Sequence, residues 1–203
     1  MNPKTAIKQL KELDKLGKSM RLAAEGWDED WKTLISILLS ARTRDEVTIA
    51  VSQKLVDRYP NLEALSKANL SEIENIIKSI NFYKNKSKSV LGCAKALFEE
   101  HKCKVPNTID ELIKLPGVGR KTANVYIAET GGLGIGIDTH LSYCSQKLGW
   151  TKNKDPHKIE EDLKRLFPKQ YWNSVNPIAV RFGKTYMGKK KKDELLERIK
   201  LIG

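Results

Sequence analysis

Apolar residues in this chain recur at intervals of three and four and nowhere settle into alternation, which restricts the fold to packed helices. Ile7, Leu10, Leu13 and Leu16 repeat at helical spacing, as do Trp31, Leu34, Ile35 and Leu38, and then Val47, Val51 and Leu55. Helix starts are marked as well. Thr43 with Glu46, Asn69 with Glu72, and Thr108 with Glu111 read as capping boxes or close variants, and Asp155-Pro156 sets a cap before a first-turn proline. Pro60, Pro106, Gly131-Gly132 and Gly149 punctuate. No sustained period-2 run occurs, and no glycine-rich phosphate loop of the Walker or dinucleotide kind. The expected class is all-α.

A chain of 203 residues can bury a proper core without a disulfide or a metal. Its three cysteines, Cys93, Cys103 and Cys144, lack paired metal-ligand spacing and leave an odd number for disulfides, which fits a reducing cytosol. The first 22 residues are charged and amphipathic, unlike a signal peptide, and no apolar stretch approaches a membrane span. The expectation is a soluble, cytoplasmic protein with no membrane partner. The formal charge of +12 favours a polyanion, because binding would release counterions. RNA and membranes would also satisfy charge alone. No serine-protease, kinase or metal-hydrolase constellation is present.

Two short stretches carry the chemistry: Leu115-Pro116-Gly117-Val118-Gly119-Arg120-Lys121-Thr122-Ala123 and Ile137-Asp138-Thr139-His140. Leu115 ends a short helix, Pro116 and two glycines permit a tight hairpin, and Gly119, Arg120 and Lys121 open the next helix with unpaired N–H groups. Such an end attracts an anion. The Gly117 and Gly119 amides are therefore expected to meet a phosphate, with Lys121 facing inward rather than toward water. A first-turn lysine is more often a solvated surface group, and Asp138 alone would be read as the N-cap of a helix starting at Thr139. Capping and catalysis can coexist in one carboxylate.

The stretch 115–124 with Asp138-Thr139-His140 closely resembles the helix-hairpin-helix glycosylases of the endonuclease III family, and the resemblance runs from about residue 34 to 183. It implies a bifunctional enzyme that removes oxidised pyrimidines from duplex DNA and cleaves the backbone at the abasic site by β-elimination. The family's catalytic lysine falls on Lys121 and its aspartate on Asp138. An amine attacking C1′ expels the base and leaves a Schiff base whose neighbouring proton is acidic enough for strand elimination; only the uncharged amine can attack. The carboxylate accepts the amine proton and stabilises the oxocarbenium-like sugar. The resemblance also implies a central six-helix unit at 22–133 and a second helical unit built from 1–21 and 134–203, with the active site in the groove between them.

Further site residues follow from the same resemblance. Arg42, in Leu39-Ser40-Ala41-Arg42-Thr43-Arg44-Asp45, occupies the place of a glutamine that fills the gap opposite the orphaned base, and Phe82, in Asn81-Phe82-Tyr83-Lys84-Asn85-Lys86, that of a wedge, usually leucine. A guanidinium donates but cannot accept, so orphan-base preference would shift toward acceptor-rich edges such as guanine. The plainer readings are a core aromatic for Phe82 and a phosphate contact or helix-end charge for Arg42. Lys84, Arg120 and His140 are candidate DNA contacts, His140 as a structural or phosphate-contacting group rather than a base. The backbone at Leu115 and Val118 could offer carbonyls to a monovalent cation bridging to phosphate.

Departures from the family are equally visible. Its members usually carry four cysteines near the C-terminus that hold a [4Fe–4S] cluster, and here none follows Cys144, so no cofactor is expected. In their place stand Lys189, Lys190, Lys191 and Lys192, a phosphate-contacting run or a solvated tail, and then an amphipathic stretch with Leu195, Leu196, Ile199 and Ile202 on one side. Tyr143 replaces a common arginine, and Pro177 is expected to interrupt a helix. Two alternatives stay open: a related glycosylase for mismatched thymine, uracil or adenine, and a catalytically silent DNA-binding module. The adenine branch uses a glutamate on the helix containing Ser36 and lacks the hairpin lysine, which argues against it. One flipped nucleotide requires only a monomer.

Overall fold

The computed structural model describes residues 1–202, and every regular element among them is helical. The helices are α1 (Pro3–Leu16), α2 (Asp30–Ser40), α3 (Asp45–Arg58), α4 (Leu62–Ser66), α5 (Leu70–Ile77), α6 (Tyr83–Glu99), α7 (Ile109–Leu112), α8 (Arg120–Glu129), α9 (Thr139–Leu148), α10 (Pro156–Leu166), α11 (Trp172–Thr185) and α12 (Lys189–Lys200), with a 3-10 turn at Lys169–Tyr171 before α11. No helix among the described residues is long and apolar enough to cross a membrane. The chain divides into two compact units: Arg21–Gly132, which carries α2 to α8, and Met1–Met20 together with the chain from Leu133 onward.

In the first of these, α2 is the core helix. Every side chain from Trp31 to Leu39 is buried, as expected of a helix that is apolar on nearly all sides. Its polar members are satisfied within the core: Ser36 Oγ donates to the Ala23 carbonyl at 2.6 Å, and Ser52 Oγ of α3 donates to Ser36 Oγ at 3.2 Å. Around it pack Val51 and Leu55 of α3, Leu65 of α4, Ile73 and Ile77 of α5, Val90 and Leu97 of α6, and Ala123 and Tyr126 of α8.

Caps follow the sequence in part. Thr108 Oγ1 donates to Glu111 Oε2 at 2.7 Å and accepts from the Glu111 N–H, so this box forms. Asn69 caps α5 through the Ser71 N–H, but Glu72 turns away to Tyr59 Oη, at 2.7 Å, and Arg58, at 3.1 Å. Thr43 does not cap: α3 starts at Asp45 behind Arg44, and the Thr43 hydroxyl accepts from Lys86 Nζ instead, at 3.2 Å.

The second unit has its own core, in which Ala6, Leu10 and Leu13 of α1 join Leu141 and Leu148 of α9, Ile159 and Leu163 of α10, Val175, Ala179 and Phe182 of α11, and Leu195, Leu196 and Ile199 of α12. The buried Gln9 is satisfied by Trp150, whose indole N–H donates to Oε1 at 2.7 Å. Asp155 caps α10 as expected, accepting from the Lys158 N–H at 3.0 Å with Pro156 first in the helix. Pro177 does not interrupt α11, which runs unbroken to Thr185. The proline lies inside the helix and removes its one bond to the Asn173 carbonyl, while Val175, Ala179 and Phe182 on either side of it are packed into the second core. The lysine run is likewise not a loop before a helix, because α12 begins at Lys189.

Candidate active site and nucleic-acid interface

Leu115 and Val118 anchor the hairpin with buried side chains, so only their backbones can face a ligand. The turn between them closes with the Val118 N–H donating to the Leu115 carbonyl at 3.0 Å. Gly117 sits at φ +79°, and a Cβ there would lie 2.5 Å from Ser89 Cβ, so both backbone and space demand glycine. Gly119, at the N-cap of α8, faces open space and offers no side-chain cap, which leaves the first-turn amides available to an anion.

Lys121 is exposed, contrary to the expectation that it turns away from water. The reason is its place on the helix: Ala123, Asn124, Tyr126 and Ile127 form the buried side of α8, and Lys121 projects from the other. Lys121 is therefore an exposed residue of the same first turn whose amides are uncapped.

Asp138 is the N-cap of α9 and is partly exposed; its Oδ1 accepts from the Leu141 N–H at 2.8 Å. Oδ2 has no protein hydrogen bond among the described residues. The buried segment leading to it, Gly134 to Ile137, is held by two asparagines of α11 that sequence reasoning passed over. Asn173 Oδ1 accepts from the Gly134 N–H at 3.2 Å, and Asn176 Nδ2 donates to the Gly136 carbonyl at 2.6 Å. Nothing in an asparagine pair three residues apart announces its target. His140 lies in the first turn of α9 with its ring against Gly183, where a Cβ would come within 2.2 Å of Nδ1. That contact fits the structural half of its expected role.

Arg42 and Phe82 both hold left-handed backbone, at φ +54° and +59°. Phe82 is 57% exposed, which rules out the core-aromatic reading. The Arg42 guanidinium lies over its ring, 5.5 Å from the centroid. The side-chain amide of Asn81 donates to the Arg42 carbonyl, and Lys86, buried, reaches back from α6 to the same loop. Burial pulls the Lys86 ammonium down to about 8. Lys84 is exposed in the first turn of α6.

Residues 35–169 match the HhH-GPD superfamily of base excision DNA repair proteins. Endonuclease III of Thermotoga maritima is 38% identical over 157 residues, which are 77% of this chain and 74% of that protein. Endonuclease III of a Synechocystis species is 39% identical over 160 residues, 78% and 73% of the two chains. The chain belongs to the endonuclease III family. A trapped endonuclease III–DNA covalent intermediate superposes with a TM-score of 0.83 at 28% identity, covering 94% of this chain and 90% of that one. As an endonuclease III homologue, the protein is a DNA glycosylase and abasic-site lyase of base excision repair.

A [4Fe–4S] cluster needs four thiolates, and the three cysteines here do not fit it. Cys93 and Cys144 are buried, and burial pushes both thiols up to about 12. After the lysine run, α12 packs Leu195, Leu196 and Ile199 into the core. Tyr143, in place of the family arginine, donates a short hydrogen bond to Asp193 of α12, and Lys147 pairs with the same carboxylate at 3.3 Å. That hydrogen bond holds the Asp193 carboxyl below its usual range and, with burial, raises the Tyr143 hydroxyl to about 12. Lys192 lies over the Tyr143 ring, 5.8 Å from the centroid, while Lys189, Lys190 and Lys191 are exposed at an α12 N-terminus with no side-chain cap and no acidic residue in its first turn, Lys191 pairing with Glu194 at 2.9 Å. Cations at that end oppose the helix dipole by about 0.3–1 kcal/mol each.

Proposed function

We propose that this enzyme excises oxidised pyrimidines from duplex DNA and cleaves the abasic strand by β-elimination, with Lys121 as nucleophile and Asp138 as the carboxylate that serves it. Neutral Lys121 Nζ forms a bond to C1′ as the N-glycosidic bond breaks and the base leaves with its electron pair. Asp138 takes the proton released from nitrogen. Opening of the sugar ring gives a protonated imine. Loss of a C2′ proton then expels the 3′ phosphate, and water releases the lysine. The observation that carries this reading is the exposed Lys121 amine beside uncapped hairpin amides, an arrangement that grips a backbone phosphate and presents a nucleophile to its sugar.

Around this centre, Phe82 serves as the wedge, and Arg42 fills the vacated space with a preference for guanine opposite. Arg120, Lys84 and the exposed lysines of α12 contact phosphates, and an incoming phosphate relieves the charge–dipole conflict of that helix. The Leu115 and Val118 carbonyls are the candidate ligands for a monovalent cation. We assign no cluster to the enzyme, and read it as a monomer acting on DNA in the cytoplasm.

Borohydride trapping on duplexes that each carry one lesion tests lesion class and chemistry together. Lys121→Gln is expected to abolish both the trapped adduct and strand cleavage while duplex affinity stays within about threefold, because phosphate contacts position the protein without the nucleophile. Persistent trapping would move the nucleophile elsewhere.

A further inference from the structure

Lys86 is a buried cation with no assigned task. From the first turns of α6, four residues after Phe82, its Nζ donates to the Leu39 carbonyl at 2.8 Å, the Ala41 carbonyl at 2.6 Å and Thr43 Oγ1 at 3.2 Å. Those three acceptors use all three ammonium protons and flank Arg42. Two of them are carbonyls at the C-terminal end of α2, where the helix dipole favours a cation and where unpaired carbonyls need donors. Burying a charge without a carboxylate is unfavourable, and burial pulls the Lys86 ammonium down to about 8. A neutral donor could cap carbonyls at lower cost.

The same segment makes a second tie, from Asn81 to the Arg42 carbonyl. Residues 81–86 therefore clip residues 39–43 at four acceptors. Both tips so joined hold positive φ, a conformation that persists in non-glycine residues only where the surroundings over-determine it.

We propose that Lys86 is a positioning residue for base extrusion, a cationic clip that fixes the Arg42 tip relative to the Phe82 tip so that the two enter the duplex as one rigid bracket. The proposal rests on the reading of Arg42 and Phe82 as the extruding pair. Extrusion of a stacked, paired base needs both tips at a set separation, whereas a preformed abasic site offers no stacked base to displace. Loosening the clip spreads the tips over many separations and lowers the fraction that fit.

The test uses the full-length protein with Lys86→Met, Phe82→Ala and Arg42→Ala compared on one duplex sequence, carrying either a stacked oxidised pyrimidine or a preformed abasic site. For Lys86→Met, excision of the stacked lesion is expected to fall by about tenfold or more, while abasic cleavage and duplex affinity stay within about threefold. A 2-aminopurine placed opposite the lesion should show a correspondingly slower fluorescence rise. Should Lys86→Met melt, Lys86→Arg keeps a cationic donor at the site and is expected to restore the stacked-lesion rate relative to abasic cleavage. Equal losses on both substrates, no loss at all, or a folded Lys86→Arg that fails to restore that ratio would overturn the proposal. If Phe82→Ala and Arg42→Ala show the substrate split and Lys86→Met does not, only the clip fails; if neither tip variant shows it, the wedge reading itself fails.

Discussion

One oxygen of the Asp138 carboxylate caps α9, and the other has no protein hydrogen bond among the described residues. Asparagine keeps the cap and removes the charge. Asp138→Asn is therefore expected to slow single-turnover base excision by about a hundredfold or more, the scale of losing one preorganised electrostatic group, with little change in melting temperature. A collapsed melting temperature with an unchanged rate per folded molecule would make the residue structural only. The places of Lys121 in the first turn of α8 and of Asp138 at the N-cap of α9 are legible in the sequence, because glycine and aspartate there mark helix starts. The exposure of Lys121 is not, since sequence gives the helix but not which of its sides meets the core. Lys86 is illegible for a related reason: a lysine among Lys84 and Lys88 reads as solvated until its burial and its carbonyl partners are seen. Asn173 and Asn176 act on a segment some forty residues away, and no local pattern points there.

At the scale of elements, α12 is the clearest departure from the family. Three exposed lysines crowd the end of the helix whose dipole repels them, with Lys192 drawn onto Tyr143. If they serve phosphates, replacing all four lysines with neutral residues should flatten the dependence of log affinity on log salt by about 0.9 for each phosphate no longer neutralised, equally for all DNA sequences. An unchanged slope in a filter-binding or anisotropy titration would leave the run a solubility feature. The amphipathic pattern announces this helix but sets its start four residues late, because a lysine run reads as a loop when nothing marks a cap. The opposite error arises at Thr43, where a good local cap signal loses to a tertiary one. Pro177 marks a break that never comes, since the one bond it forfeits is outweighed by the burial of Val175, Ala179 and Phe182 around it.

The whole molecule holds two separate cores, and the all-α class behind them is readable from periodicity alone. The second core is closed by α12. Leu196, fully buried there, is expected to cost about 2–5 kcal/mol on truncation to alanine, measured by denaturant titration, whereas an iron chelator should leave the wild-type melting curve in place. A chelator-sensitive transition would reinstate the cluster. The partition of the chain also orders its birth. The central unit is continuous in sequence, so a ribosome that has released Gly132 has supplied every residue of its core. By contrast α1 packs its apolar side against α11 and α12, which lie far downstream and are made long after it. Until α11 and α12 emerge, that side lacks its partners in the second core, and Lys121 and its hairpin are complete before the segments that pack around Asp138. On the proposed roles of the hairpin and Asp138, an unfinished copy would hold DNA without being competent to cut it.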